Sequence, residues 1–164
     1  MEESLSINFV LWQLLHRSFG AINKARQKEL DRYSITLRQS AVLGAVLRLG
    51  EQGTPTELAK QLFLEINTIS EQLKRMEAEG LIRKVKDLHR KNLVRIEVTQ
   101  KGHRLYRKTL NRKSINYIMS VLTEEEKLEL WSILAKLRGQ AVKKLRIKNL
   151  ELYPPVNPAK LQLS

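Results

Sequence analysis

The chain has 164 residues, 42% of them hydrophobic but only 5% aromatic, so Leu, Ile, Val and Ala must build the core of one ordinary domain, or of a small domain plus an oligomerisation element. Lys and Arg total 30 against 17 acidic residues, a formal net charge of +13 that suits a polyanionic partner, either nucleic acid or an anionic membrane surface. The lack of cysteine excludes disulfides, cysteine-ligated zinc and thiol redox sensing. No signal-peptide pattern follows Met1-Glu2-Glu3-Ser4, and the apolar stretch from Phe9 to Leu15 is interrupted by Gln13 and too short to span a bilayer, so a cytoplasmic protein is expected.

In chain order, Ile7, Leu11, Leu14, Leu15, Phe19 and Ile22 recur at helical spacing, which predicts a helix from Ile7 to Leu30 with Ser6 as its cap. Asp31 to Ser34 reads as a break. Thr36-Leu37-Arg38-Gln39 fits a capping box, and the helix it opens carries Ala41, Val42, Ala45, Val46 and Leu49 before Gly50 and Gly53 close it. Thr54-Pro55-Thr56-Glu57 is a stronger start, with Thr54 as cap, Pro55 at the first helical position and Glu57 closing a second box. That short helix runs to about Leu62. A turn at Phe63-Leu64 leads into another helix, from about Glu65 to Glu79, ended by Gly80.

The periodicity then switches to alternation. Leu81–Lys86 and Leu93–Val98 read as two strands, the second with Val94, Ile96 and Val98 on a buried face and Arg95 and Glu97 on a wet one. Helix returns near Gln100, with Leu105, Leu110, Ile115, Ile118, Met119 and Leu122 marking one apolar side. Thr123 to Glu126 forms a third capping box, opening a helix expected to reach Leu150 with Leu130, Ile133, Leu134, Leu137, Ala141 and Leu145 on its stripe. Pro154, Pro155 and Pro158 forbid further helix, so the tail is expected to be extended or disordered.

The order helix, short helix, turn, helix and two-strand hairpin spells a winged helix-turn-helix. In the helix after the turn, Ile66, Ile69, Leu73 and Met76 form one stripe, while Asn67, Glu71 and Lys74 lie opposite, flanked by Thr68, Ser70 and Arg75. Such a face offers short donors and acceptors for base edges and then cations for phosphates, although taken alone it also describes an ordinary solvated helix surface. The hairpin that follows tips the reading toward DNA. Its tip carries His89, Arg90 and Lys91, with Arg83, Lys84 and Lys86 leading in, a ribbon able to follow the backbone and place a cation in the minor groove. The alternative for a basic hairpin is protection of a sheet edge.

These residues resemble the MarR family. Leu37-Arg38-Gln39 with Val42-Leu43 is similar to the helix that opens its DNA-binding core. Thr56-Glu57-Leu58-Ala59 resembles its E-L-A segment, and Leu73, Glu77 and Gly80-Leu81-Ile82-Arg83 resemble its L-E-x-x-G-L-[IV]-x-R pattern, with Met76 before Glu77. Asp87, Val94, Val98-Thr99 and Gly102 resemble its wing, and Leu122 to Glu126 the start of its last helix. The likeness covers about Ile35 to Leu150. One departure is that His89 and Asn92 stand where the family wing has arginines, so Arg90 or Lys91 is expected to take the DNA contact.

The fold expected is mainly α with a small β-hairpin wing. Residues 1–33 form an N-terminal dimerisation helix, 34–100 the winged helix-turn-helix lobe, 101–150 the C-terminal dimerisation helices and 151–164 an extended tail. A homodimer is expected because the Ile7–Ile22 and Leu130–Leu145 stripes exceed what so small a core can cover. Trp12, Phe19, Tyr117 and Trp131 fall on or beside these stripes and read as interface core. Two-fold symmetry sets the recognition helices roughly 34 Å apart and implies a pseudo-palindromic duplex site.

The resemblance implies a regulator of transcription, a repressor by expectation, relieved by a small aromatic or anionic effector held between the terminal helices and the DNA-binding lobe. His16, Arg17, Tyr33, Arg38 and His103 are the polar candidates there, each of which also reads as an ordinary surface residue. Three scattered histidines, no G-x-S-x-G and no phosphate-binding glycine loop leave no expected catalytic residue, metal or cofactor. The rival reading is a nonspecific architectural DNA-binding protein carried by the same charge.

Overall fold

The computed structural model describes residues 6–86, 93–150 and 153. Its elements follow the order α1 (Ile7–Leu30), α2 (Leu37–Leu49), α3 (Pro55–Leu62), α4 (Ile66–Ala78), β1 (Ile82–Lys86), β2 (Val94–Val98), α5 (Gln100–Lys108), α6 (Lys113–Met119) and α7 (Glu124–Lys144), with short 3-10 turns after α1, α2 and α5. It is mainly helical with one antiparallel hairpin, as the periodicities require.

Local capping chemistry starts most of these helices. The Ser6 hydroxyl accepts from Asn8 N at the head of α1. Thr36 and Gln39 exchange both bonds of a capping box, as do Thr123 and Glu126. Thr54 caps α3 by accepting from Glu57 N at 3.2 Å, but the expected box is only half made. The Thr54 amide already donates to Gln52 O at 2.7 Å, and the Glu57 carboxylate turns to Lys60 Nζ at 2.6 Å.

The core lies where α2, α3, α4 and the hairpin meet. Leu43, Leu58, Ile69, Leu73, Met76, Ile82 and Ile96 are almost wholly buried there, joined by Leu30 and Ile35 from the end of α1 and the turn after it. Ile96 N donates to Gly53 O at 2.8 Å, which ties β2 to the entry of α3. Gly80 takes φ +71 after α4, letting Leu81 N reach back to Met76 O at 2.9 Å and turn the chain into β1. Gly102 is needed for another reason. A Cβ there would stand 2.1 Å from Leu81 O, so only glycine lets α5 pack this closely on the start of the hairpin.

Four expectations are corrected. The segment from Gln100 is not one helix: α5 stops at Lys108, Arg112 takes φ 49, and α6 starts anew. The reason is distant in sequence, for Glu29 on α1 accepts from Lys113 N and Ser114 N, each at 2.9 Å, and caps α6. Helix α7 ends at Lys144 rather than Leu150, because Arg146 enters the left-handed region at φ 54. Ile66 is 44% exposed, since the apolar stripe of α4 joins the core only from Ile69 onward. Arg95 and Glu97 are half-buried instead of wet, with Glu97 held by Arg83 across the strands at 2.7 Å.

The terminal helices look different from the lobe. In α1 only Arg26 and Leu30 are buried, and α7 buries nothing among its residues. Between these regions lies a polar joint. Arg26 donates to Thr109 O and pairs with Glu29 at 2.8 Å, while the Ser40 and Thr109 hydroxyls meet at 3.2 Å.

Candidate nucleic-acid interface

Helix α3 and the turn after it set the pose of α4. Phe63 adopts φ 52, and Leu64 N donates to Ala59 O at 2.9 Å, so the chain reverses within a few residues. Ile69, Leu73 and Met76 then anchor one side of α4 in the core. At about 100° per residue, anchoring that side turns Asn67, Glu71 and Lys74 to the opposite one. These three are exposed, as are Ser70 and Arg75, while Thr68 is half-buried at the edge of the face. The Ser70 hydroxyl donates to Ile66 O at 2.7 Å and keeps its lone pairs for an incoming donor. The face is therefore small and polar at the start of α4 and basic further along, an arrangement able to meet base edges and then phosphates.

The wing is fastened to this helix by charge. Lys84 pairs with Glu77 at 2.9 Å, and its amide donates to the same carboxylate at 3.2 Å. The Lys84 ammonium and amide together hold the Glu77 carboxyl below its ordinary value. Arg83 makes two bonds to Glu97, at 2.9 and 2.7 Å. Two of the three cations leading into the wing are thus engaged within the protein, and Lys86 is exposed at the end of β1. The candidates His89, Arg90 and Lys91 lie outside the described residues, as do Asp87 and Asn92.

Two supports were not expected from the sequence. The Lys101 ammonium donates to Glu79 O at 2.7 Å, placing a cation on the negative end of α4. The Gln39 amide donates to the Glu79 carboxylate at 2.6 Å, fixing the C-terminal end of α4 against the start of α2.

A cleft of about 420 Å³ opens where α1, α2, α5 and α6 converge. Arg26, Arg48, Arg112 and Tyr106 supply its polar lining, and Leu37 and Leu110 part of its apolar wall. None of the five effector candidates lines it. Tyr33 instead borders a separate cleft of about 300 Å³ with Lys28, Arg32 and Lys113. His16 stacks on Trp12 with ring centres 5.7 Å apart, and Arg17, Arg38 and His103 are exposed. Near the cleft, Arg48 lies 4.0 Å over the Tyr153 ring, whose backbone carbonyl accepts from Arg138 Nη1 at 3.0 Å. Burial would raise the Glu29 carboxyl, but the Ser114 hydroxyl and amide, the Arg26 guanidinium and the Lys113 amide hold it down at about 2. Among the described residues no helix is long and apolar enough to cross a membrane, and no three His, Cys, Asp or Glu gather as metal ligands.

Residues 54–83 match a family model described as winged helix-turn-helix DNA-binding. The organohalide-sensing transcriptional regulator RdhR-CbdbA1625, solved with 2,4-dichlorophenol bound, is 30% identical, with 93% of this chain and 91% of that chain covered and a TM-score of 0.83. A MarR family protein from Bacillus stearothermophilus is 25% identical over 85% of this chain and 99% of that chain, with a TM-score of 0.67. A variant of MarR from E. coli, solved with operator DNA, shares the fold at 22% identity and a TM-score of 0.73, covering 82% of this chain and 99% of that chain. The mainly helical fold with its two-strand hairpin agrees with these relatives, and the chain belongs to the MarR family of winged helix-turn-helix transcriptional regulators.

Proposed function

We propose that this regulator is a homodimeric repressor that binds a pseudo-palindromic duplex operator and is released from it by a small aromatic or anionic effector. The observation that carries the reading is the outward side of α4, where Asn67, Ser70, Glu71, Lys74 and Arg75 stand exposed while Ile69, Leu73 and Met76 hold the helix to the core. In this reading α4 lies in the major groove, with Asn67, Thr68, Ser70 and Glu71 toward base edges and Lys74 and Arg75 toward phosphates. His89, Arg90 and Lys91 form the wing's contact with the backbone or minor groove.

Dimerisation is supported by what α1 and α7 leave uncovered. Leu11, Leu14 and Phe19 on α1, Ile133 and Leu137 on α7, and Leu145 just after it are all exposed, an apolar area that a second copy would bury. In this division of labour, residues 1–33 and 101–150 form the dimer and residues 34–100 the DNA-binding lobe. Repression is the proposed outcome because a dimer over a promoter would exclude polymerase without further contacts. The effector reading draws on the arginine-lined cleft between lobe and terminal helices, and on the dichlorophenol held by the 30% identical relative.

Footprinting the full-length protein on the DNA upstream of its own gene tests the proposal. A discrete protected palindrome, lost steeply as salt rises and counterions compete for phosphate, is the expected result. Uniform coating of the fragment would favour an architectural binder instead.

A further inference from the structure

We infer that Glu71 reads a cytosine, its carboxylate accepting a hydrogen bond from the N4 amine in the major groove and so fixing a C·G pair in each operator half-site. The inference rests on the recognition-helix reading of α4 and adds the base to it.

Glu71 sits near the middle of α4, exposed, on the side opposite Ile69, Leu73 and Met76. The other acids of this region are accounted for. Glu77 holds Lys84 at 2.9 Å, and Glu79 accepts from the Gln39 amide at 2.6 Å. Glu65 stands at the N-cap, where the positive end of the helix dipole favours a carboxylate. Glu71 has none of these. It takes part in no ion pair among the described residues, although Lys74 and Arg75 occupy the three- and four-residue spacings at which such pairs form on a helix.

The chain thus carries an unpaired negative charge at the centre of a surface whose other charges, Lys74 and Arg75, are positive. Close to phosphates that charge is repelled, and it is tolerated in a groove only where a donor meets it. The major groove offers two amines, cytosine N4 and adenine N6. Adenine sets the acceptor N7 beside its amine, which repels a carboxylate and suits an amide such as Asn67. Cytosine shows the amine without a neighbouring acceptor of its own. The charge, the position and the missing partner therefore select cytosine.

The test is repeated selection from a randomised duplex library by the full-length protein, followed by sequencing of the bound DNA. Glu71 is exposed and unpaired, so Glu71→Ala and Glu71→Gln leave the core untouched. The wild type is expected to select one cytosine symmetrically in each half-site. Glu71→Ala should flatten that column alone and weaken binding to the cytosine-containing site about tenfold. Glu71→Gln should shift the same column toward adenine, since an amide matches the N6/N7 pair. If discrete half-sites appear but the columns are the same in Glu71→Ala, or if that variant binds every sequence more tightly by an equal factor, the cytosine contact is overturned while α4 keeps its role. If the wild type selects no columns at all, the recognition-helix reading fails, and this inference with it.

Discussion

Between Leu30 and Ile96 the chain closes on itself, and every buried apolar side chain among the described residues lies in that span. On α1 and α7 the same kinds of residue point outward, Trp12 at 57% exposure and Leu14 at 63%, with Leu137 at 53%. One region has finished burying its apolar surface and the other has not, and where they meet Arg26, Glu29, Ser40 and Thr109 add polar contacts to the buried Leu30. The contrast teaches where rigidity is required. An apolar lobe holds α4 in one pose, while charged and hydroxyl groups carry much of the contact between that lobe and its terminal helices.

The sharpest way to break the comparison is to charge the uncovered faces. Leu14→Glu combined with Leu134→Glu places carboxylates on both apolar stripes, where a second copy would have to bury them unpaired at a cost on the order of 4 kcal/mol. Dimer dissociation should then strengthen by about a thousandfold in sedimentation measurements. The lobe's own unfolding should be little changed, because neither residue enters its core. An unaltered dimer would show that these faces are not the ones covered.

The joint comes next. Glu29→Gln leaves the buried Arg26 guanidinium without its counter-charge and weakens the cap of α6, a loss of about 3 kcal/mol in denaturant unfolding at neutral pH. The pH dependence has a definite sign. The folded carboxyl sits at about 2, below its ordinary 4.5, so the unfolded chain takes up the proton first as pH falls. The stability due to Glu29 is fully present above pH 4.5 and is lost as pH drops from there toward 2. Across that window the variant should lose less stability than the wild type. Parallel curves would show that the carboxylate does not hold the joint.

What could be read from the sequence follows the same division between local and distant causes. Thr36 with Gln39 and Thr123 with Glu126 are separated by three residues and start their helices as expected, and the stripe of α4 from Ile69 to Met76 fixed its outward side. The break at Arg112 could not be read, because the carboxylate that caps α6 comes from Glu29, more than eighty residues earlier. Nor could the wing's cations be sorted. Arg83 meets Glu97 only through strand register, and Lys84 meets Glu77 only once β1 lies against α4. Arg146 occupies a left-handed position without glycine, so the turn it makes carries no local signal.

Glycines sharpen the contrast inside the lobe. At Gly102 an added Cβ would meet Leu81 O at 2.1 Å, just before β1, and Val98 Cγ1 at 2.7 Å, on β2, and neither can retreat without opening the hairpin. Gly102→Ala should cost about 2 kcal/mol and loosen α5 from β1. Thermal unfolding of the full chain would register it. An unchanged midpoint would mean that this contact yields more easily than a packed core should.

Gly139 in α7 offers the opposite case and the smallest effect. Nothing lies within 4 Å of a Cβ built there. Its position falls on the side of α7 away from Leu130, Leu134, Leu137 and Ala141, so an alanine would face neither the lobe nor the stripe that a second copy would cover. Gly139→Ala should therefore stabilise the protein by about 1 kcal/mol through the backbone alone, as a helix interior prefers alanine. The dimer constant should not move. A weaker dimer would place the interface around the Gly139 side of α7, and the division between the two regions would have to be redrawn.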